Sequence, residues 1–348
     1  MADKPQLPAL LAKAKRLRQT DETWEFASPL ARVWVTPRQG ADYRPYLSLV
    51  VNTEGRALIS KTQQQRPDAD QMVGILLQAM IRPGLGAGRP RRPQVIHLDD
   101  AEASSALAPA LAELDIRCEH RVALPTLNRT RQFVEQGFRG GDLIPGLLTV
   151  AGVTPPLVKH LYELAAEYYK AAPWQWLGDH DPMVIAYPPQ AEPRYAIVMG
   201  SGGEIFGLSV YDTIEDLRRI FCRDLSQRQL MQQACWLVLF FEVPMAMSFD
   251  DLDAILQYDW PVVNERAYPI FGRTTPDGQL EPPTKADLLW LEGVLSGFLD
   301  YLPQFLQSGF DDEASGELSL PVKIISGKAK MRLKMPELDD LIFPGDLS

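Results

Sequence analysis

Apolar and polar residues follow two successive patterns along the chain, which separate near residue 150. In the first part, short apolar runs and helically spaced apolar residues indicate three strands, after which helices and strands alternate. The predicted strands span residues 32–36, 46–52, 56–62, 94–98 and 116–122, and the predicted helices span 68–81, 101–114 and 125–136. This order predicts an α/β unit with a mixed sheet.

The second part begins with an amphipathic helix over residues 154–172 and continues with strands joined by short Gly- and Pro-rich turns. The predicted strands span 183–187, 195–199, 204–211, 235–242, 268–272, 318–325 and 328–335, and further helices are predicted at 213–221, from Ser248 and at 284–304. Short turns favour antiparallel neighbours. We therefore expect an α+β domain with antiparallel strands.

Composition agrees with two folded domains. The chain has 348 residues, of which 46% are hydrophobic, which is ordinary globular composition and long for one core. We divide it into an N-terminal helical leader that packs loosely (1–21), an α/β domain (22–138), a linker (139–153) and an α+β domain (154–348).

Charge and cysteine content exclude several function classes. The formal net charge of −10 disfavours binding to nucleic acid or to an anionic membrane through the overall field. Three separated cysteines form neither a disulfide framework nor a CxxC pair. The apolar run Ala234 to Phe241 falls far short of the ~20 residues that span a bilayer. We therefore expect a cytoplasmic protein without a membrane segment.

The element order over about residues 30–138 resembles the ribonuclease H-like and integrase-type fold. This resemblance implies two metal ions held by carboxylates on the first strand, the fourth strand and a late helix. Asp99, Asp100 and Glu135 are the candidates, but the predicted first strand, 32–36, has no carboxylate. The alternative is that Asp99 and Asp100 cap the helix that begins at Ala101.

Two glycine-containing segments suggest phosphate binding at first sight. The loop over 82–93 (RPGLGAGRPRRP) carries four arginines that could clamp a phosphate or simply lie in solvent. The run over 200–203 (GSGG) precedes a predicted strand rather than a helix, so it indicates a hairpin turn.

Aromatic and polar residues are concentrated directly after the helix that ends near residue 172. Trp174 and Trp176 are followed by Asp179, His180 and Asp181. An exposed loop is one interpretation, and a pocket in which a carboxylate orients an imidazole is the other. Together with Tyr187, the two tryptophans form a candidate aromatic binding surface.

The motifs APWQWL, YAIVMGSGGEIFGLSVYDTIEDLRRI and YPIFGRTTPDGQLEPPT resemble an uncharacterised bacterial two-domain family, made of domains of unknown function. The resemblance covers most of the chain, from about Trp24 to Thr284, and implies an arrangement of domains without assigning any catalytic residue.

The sequence favours a non-catalytic module that binds a partner protein or small ligand through the second domain, with no cofactor and no resident metal. The alternative is a diverged metal-dependent nuclease with an incomplete acidic site. The sequence sets no oligomeric state.

Overall fold

The computed structural model describes residues 7–136, 145–221, 236–275, 279–308 and 317–342. The chain divides into two compact units, residues 1–142 and residues 143–348.

The N-terminal unit contains a five-stranded sheet and four helices. Its strands are β1 (Thr23–Ala27), β2 (Tyr46–Asn52), β3 (Ala57–Gln63), β4 (Val95–Leu98) and β5 (Arg117–His120). Its helices are α1 (Leu7–Lys15), α2 (Ala69–Ile81), α3 (Ala101–Ala112) and α4 (Pro125–Gln136). The β2–β3 hairpin turns at Gly55, whose φ of 82° suits glycine.

The strands of this sheet lie in the order β3-β2-β1-β4-β5. β1 pairs antiparallel with β2, and it pairs parallel with β4, which in turn pairs parallel with β5. Three strands followed by alternating helices and strands, closed by a final helix, give the ribonuclease H-like mixed sheet that the sequence predicts.

The prediction of the first strand over residues 32–36 is wrong. This stretch forms only an isolated bridge between Val35 and Tyr43, and the first strand is β1, nine residues earlier. The pattern in β1 is concealed because Glu25, a charged residue, is buried between Trp24 and Phe26. The first strand therefore does carry a carboxylate.

Helices cover both faces of this sheet. One core joins Trp24, Phe26 and Ile96 to apolar residues of α2 and α3, and a second joins Leu49 and Val51 to the start of α4. α1 packs against α2 and its Ala14 is fully buried, so the prediction of a loosely packed leader is wrong. Apolar burial of this kind makes α1 part of the core.

The C-terminal unit contains a second sheet with helices. Its strands are β6 (Met183–Ala186), β7 (Arg194–Met199), β8 (Gly207–Tyr211), β9 (Trp236–Glu242), β10 (Tyr268–Thr274), β11 (Leu280–Glu281), β12 (Leu318–Ile324) and β13 (Gly327–Lys334). Its helices are α5 (Pro155–Ala171), α6 (Ile214–Phe221), α7 (Phe249–Tyr258), α8 (Lys285–Ser308) and α9 (Leu338–Ile342).

These strands lie in the order β11-β10-β9-β8-β7-β6-β13-β12, and neighbouring strands are antiparallel throughout, as predicted. Residues 200–203 form the turn between β7 and β8, so the hairpin prediction is confirmed. Tyr168 of α5 contacts Phe298 of α8 with ring centroids 6.0 Å apart, and α6 packs on Ile197 and Tyr211.

Part of the predicted linker belongs to the C-terminal unit. Residues 139–144 lie outside the described residues, but Leu147 is buried and its backbone N–H donates to Asp251 Oδ1 over 2.8 Å. The apolar residues of this stretch therefore have a packing role. Cys222 and Cys235, the latter the predicted start of a strand, lie outside the described residues.

Among the helices that the structure describes, none has both the length and the apolar character needed to cross a membrane.

Candidate functional site

Trp174 lies at the centre of an aromatic cluster in the C-terminal unit. It follows α5 in a short 3-10 turn. Ala172, between the two, has a left-handed conformation that changes the direction of the chain. Its ring centroid lies 4.8 Å from that of Phe206, 5.5 Å from Tyr169 and 6.1 Å from Tyr168. Contacts of this type contribute packing energy. The ring contacts of Trp174, which is half-buried, indicate a packing role. Its role in a binding surface stays a prediction.

Trp176 has a different position, because 51% of its surface is exposed. Three chain segments meet around Trp174, two residues before it. Gly200 packs directly against Trp174, and the backbone N–H of Phe241 donates to the carbonyl oxygen of Phe206 over 3.1 Å. We call residues 173–181, 200–206 and 241–246 together the Trp176 surface.

The Trp176 surface contains further large apolar residues that are exposed. They are Ile205, Val243 and Met245. Sequence reasoning missed all three, since Ile205 lies between β7 and β8 while Val243 and Met245 follow β9, and no local pattern links these stretches to Trp176. The local signal in the sequence was the pair of tryptophans, Trp174 and Trp176. The tertiary fold brings the segments that carry the other apolar residues together around Trp174.

The polar residues after Trp176 form a turn. Asp181 Oδ2 accepts a hydrogen bond from the backbone N–H of Gly178 over 2.9 Å, and the Asp181 N–H donates to the Gly178 carbonyl. Asp179 and His180 are exposed at the tip of the turn. Asp181 thus has a structural role in the loop, and Asp179 and His180 stay candidates for binding.

Tyr187, the third predicted aromatic residue, lies against α8 at Gly293, where a side chain would collide with its ring. Beside it is Glu292, a fully buried carboxylate. Glu292 Oε1 accepts from the Ile325 N–H over 2.6 Å and lies 3.6 Å from His160 Nδ1. Burial, followed by the charge of Glu292, raises the pKa of Tyr187. Tyr187 therefore belongs to this polar group of the C-terminal unit.

In the N-terminal unit, Asp100 is the N-cap of α3, as predicted. Its Oδ1 accepts from the Ala103 N–H over 2.9 Å, and its other oxygen pairs with Arg66. The hydrogen bond from Ala103, together with Arg66, lowers the pKa of Asp100. A carboxylate at a helix N-terminus is stabilised in this way.

Asp99 lies on the surface just beyond β4. Partial burial raises its pKa and the Asp100 carboxylate adds to this effect, whereas the charges of Arg131 and His120 act in the opposite direction. A cavity of about 110 Å³ lies beside both aspartates and is also lined by Ser28 and Arg66.

The acidic residues of this unit do not fit the two-metal site that the fold resemblance implies. Glu25 Oε2 accepts from the Leu127 N–H over 2.6 Å, and Glu135 Oε1 accepts from the Arg32 N–H over 3.0 Å. Leu127 and Glu135 are in the first and last turns of α4, about 12 Å apart along its axis. Within the described ranges, no group of three His, Cys, Asp or Glu residues could hold a metal ion.

The arginine-rich loop stabilises the unit that carries it. Arg91 Nε lies 2.7 Å from Glu22 Oε1, and its guanidinium lies 5.6 Å from the Trp24 ring centroid. Arg92 donates to the carbonyl oxygens of Leu17 and Leu114. These two arginines bind the protein's own carboxylate and carbonyl groups. For them, the predictions of a phosphate clamp and of a solvated loop are both wrong.

Comparison with curated proteins gives no match. One solved structure with 13% identity is described as "CryoEM structure of simian T-cell lymphotropic virus intasome in complex with PP2A regulatory subunit B56 gamma". The match covers 57% of this chain and 78% of that chain with a TM-score of 0.23, so the fold assignment rests on the strand order given above.

Two family models match the sequence directly. Residues 10–135 match a model described as "Domain of unknown function (DUF6930)", and residues 159–315 match one described as "Domain of unknown function (DUF7309)". The two matches together cover most of the chain, which confirms its resemblance to domains of unknown function.

Proposed function

We propose that this chain is a non-catalytic binding protein whose C-terminal unit binds a partner protein through the Trp176 surface. The observation that carries the proposal is the half-exposed indole of Trp176, two residues after the Trp174 that packs in the aromatic cluster. Tryptophan is enriched among residues that dominate protein–protein binding energy. A rigid support reduces the conformational entropy lost on binding.

The distribution of exposed apolar groups supports the same proposal. Single exposed hydrophobic residues are normal, but a contiguous group of them marks interaction surfaces. Trp176, Ile205, Val243 and Met245 lie on segments joined by the Trp174 cluster. A partner that buries these four side chains would remove their apolar surface from water. This burial stabilises a complex by about 25 cal/mol for each Å² of apolar surface.

Three cavities within the described residues are small for a drug-sized ligand. Cavities of about 110 and 190 Å³ lie near Arg66, and one of about 120 Å³ lies near Arg332. Sites for drug-sized ligands have volumes of roughly 300–1,000 Å³. The extended apolar surface therefore has better support as a binding site than these cavities.

The test places a photo-crosslinking amino acid at position 205 of the full chain in cells that express it, which leaves Trp176 intact. Position 256 is the matched control, since Leu256 is an exposed apolar residue of the same unit. We expect one protein to be crosslinked from position 205, not from position 256, and to be lost when Trp176 is replaced by Ala. The same crosslinked products from both positions, or products that persist in Trp176→Ala, would contradict the proposal.

Stability measurements separate binding from folding. Trp176→Ala should change the free energy of unfolding by less than about 1 kcal/mol, because an exposed side chain contributes little packing. Trp174→Ala should cost about 3 kcal/mol, since it removes the centre of the aromatic cluster. A loss of binding in Trp176→Ala with an unchanged unfolding midpoint assigns the residue to the interface.

A further inference from the structure

We propose that the partner presents a basic segment with apolar side chains to the Trp176 surface, an inference that rests on the proposed function. The reason is charge complementarity. The three segments of this surface contain four carboxylates and neither lysine nor arginine. The carboxylates belong to Asp179, Asp181, Glu204 and Glu242.

These carboxylates flank the exposed apolar groups within each segment. Glu204 precedes Ile205 and Glu242 precedes Val243, while Asp179 follows Trp176 within the same loop. Asp179 and Glu204 are exposed, and Glu242 is half-buried. The surface therefore has apolar side chains next to negative charges, which is the usual arrangement of an interface core and its polar rim. A rim of one sign attracts partners of the opposite sign and repels others.

Three other occupants carry the wrong charge. Nucleic acid and anionic membranes present phosphates, which four carboxylates repel. A second copy of this chain in a two-fold symmetric contact would place the same acidic surface opposite itself. A peptide segment with apolar side chains flanked by Lys or Arg satisfies both features of the surface.

The test uses the purified full chain and a display library of random twelve-residue peptides. We expect the selected peptides to combine an aromatic or aliphatic residue with two or more Lys or Arg residues, and to lose binding in Trp176→Ala. Synthetic copies of the selected peptides should bind about tenfold more weakly to the double variant Glu204→Lys/Glu242→Lys, and more weakly as salt increases. Glu163→Lys/Glu167→Lys, at two exposed positions of α5, is the charge-matched control and should bind like the unchanged protein.

The outcomes separate this inference from the proposed function. Peptides that depend on Trp176 but lack basic residues, or that bind the double variant equally well, would overturn the basic partner and leave the binding surface in place. Peptides that bind with no dependence on Trp176, or an empty selection, would overturn both. Selected basic peptides that need Trp176, Glu204 and Glu242 support both.

Discussion

Arg273 of β10 forms a two-point ion pair with Asp287 at the start of α8. Its Nε donates to Oδ2 over 3.1 Å and its Nη2 donates to Oδ1 over 2.7 Å. On its other side, Nη1 donates to Asp212 Oδ2 over 2.6 Å. Arg194 of β7 contacts both aspartates and lies 4.9 Å from the Trp290 ring centroid. This network joins two strands to the helix that crosses the sheet.

The pair should be sensitive to the geometry of the cation. Arg273→Lys keeps the charge but removes the planar fork that serves both aspartates, so we expect a loss of about 2 kcal/mol in unfolding free energy, measured by urea denaturation. Arg219→Lys is the control, because Arg219 is an exposed residue of α6 that pairs with Asp216, and it should cost less than about 0.5 kcal/mol. Equal losses in the two variants would show that the fork is unimportant.

Asp251 gives the C-terminal unit a pH dependence of defined sign. Burial raises the pKa of Asp251 to about 6, despite the hydrogen bond from the Leu147 N–H. The folded state thus holds a proton that the unfolded state, with a usual Asp pKa near 4, has released. Stability from this group is present below about pH 4 and is lost as pH rises through about 6. We expect Asp251→Asn to remove this loss.

The measurement is urea unfolding of both proteins at pH 5.5 and pH 8. The unfolding free energy of the unchanged protein should fall relative to that of Asp251→Asn by about 0.8 kcal/mol between these values, because at pH 5.5 only about three quarters of the folded molecules hold this proton. Parallel pH profiles for the two proteins would mean that Asp251 is charged in the folded state without cost.

Glu292 should hold the β12–β13 hairpin to α8. Its carboxylate accepts from the Ile325 N–H, at the turn of that hairpin. Glu292→Ala removes the acceptor, so we expect faster hydrogen exchange at Ile325 and a loss of about 2 kcal/mol in stability. Glu292→Gln retains an oxygen acceptor and should exchange more slowly than the Ala variant. Identical exchange at Ile325 in all three proteins would place the hairpin's anchor elsewhere.

Two adjacent aspartates should respond differently to substitution. Asp100→Ala removes the N-cap of α3 and its pair with Arg66, so thermal unfolding should show a loss of about 1–2 kcal/mol. Asp99→Asn changes a surface residue and should cost less than about 0.5 kcal/mol. Adding Mg²⁺ tests the nuclease alternative. A rise in melting temperature that requires Asp99 would restore the metal site that the geometry of Glu25 and Glu135 disfavours.

Most elements of regular structure were predictable from the sequence, and the predictions that failed did so for physical reasons. β2 has the predicted bounds, 46–52, because six of its seven residues face buried surroundings and form a clear apolar run. β1 escaped because a buried carboxylate interrupts its pattern, and Glu25 is tolerated there only because the Leu127 N–H binds it. That partner lies 102 positions away in the chain. No local window can contain it.

The candidate site was predictable only in part for a similar reason. The paired tryptophans were visible as a motif, but the two have opposite roles, since Trp174 packs in a cluster and Trp176 is exposed. Their difference depends on Phe206, just before β8, and Phe241 of β9, which both contact Trp174. Arg91 and Arg92 likewise resembled free cations until the fold placed carboxylate and carbonyl oxygens beside them.

The sequence by itself determined the order and type of the elements, the capping of α3 by Asp100, the hairpin at residues 200–203 and the division into two domains. These features depend on side-chain periodicity and on the conformations of neighbouring residues, which are local properties. Only the tertiary structure decided which side chains meet. It placed Glu25 against α4, gathered Arg194 and Asp212 around Arg273 and Asp287, and brought the segments that carry Ile205, Val243 and Met245 together around Trp174. Burial and charge pairing between distant residues depend on the whole fold, and these distant contacts determine the candidate binding surface.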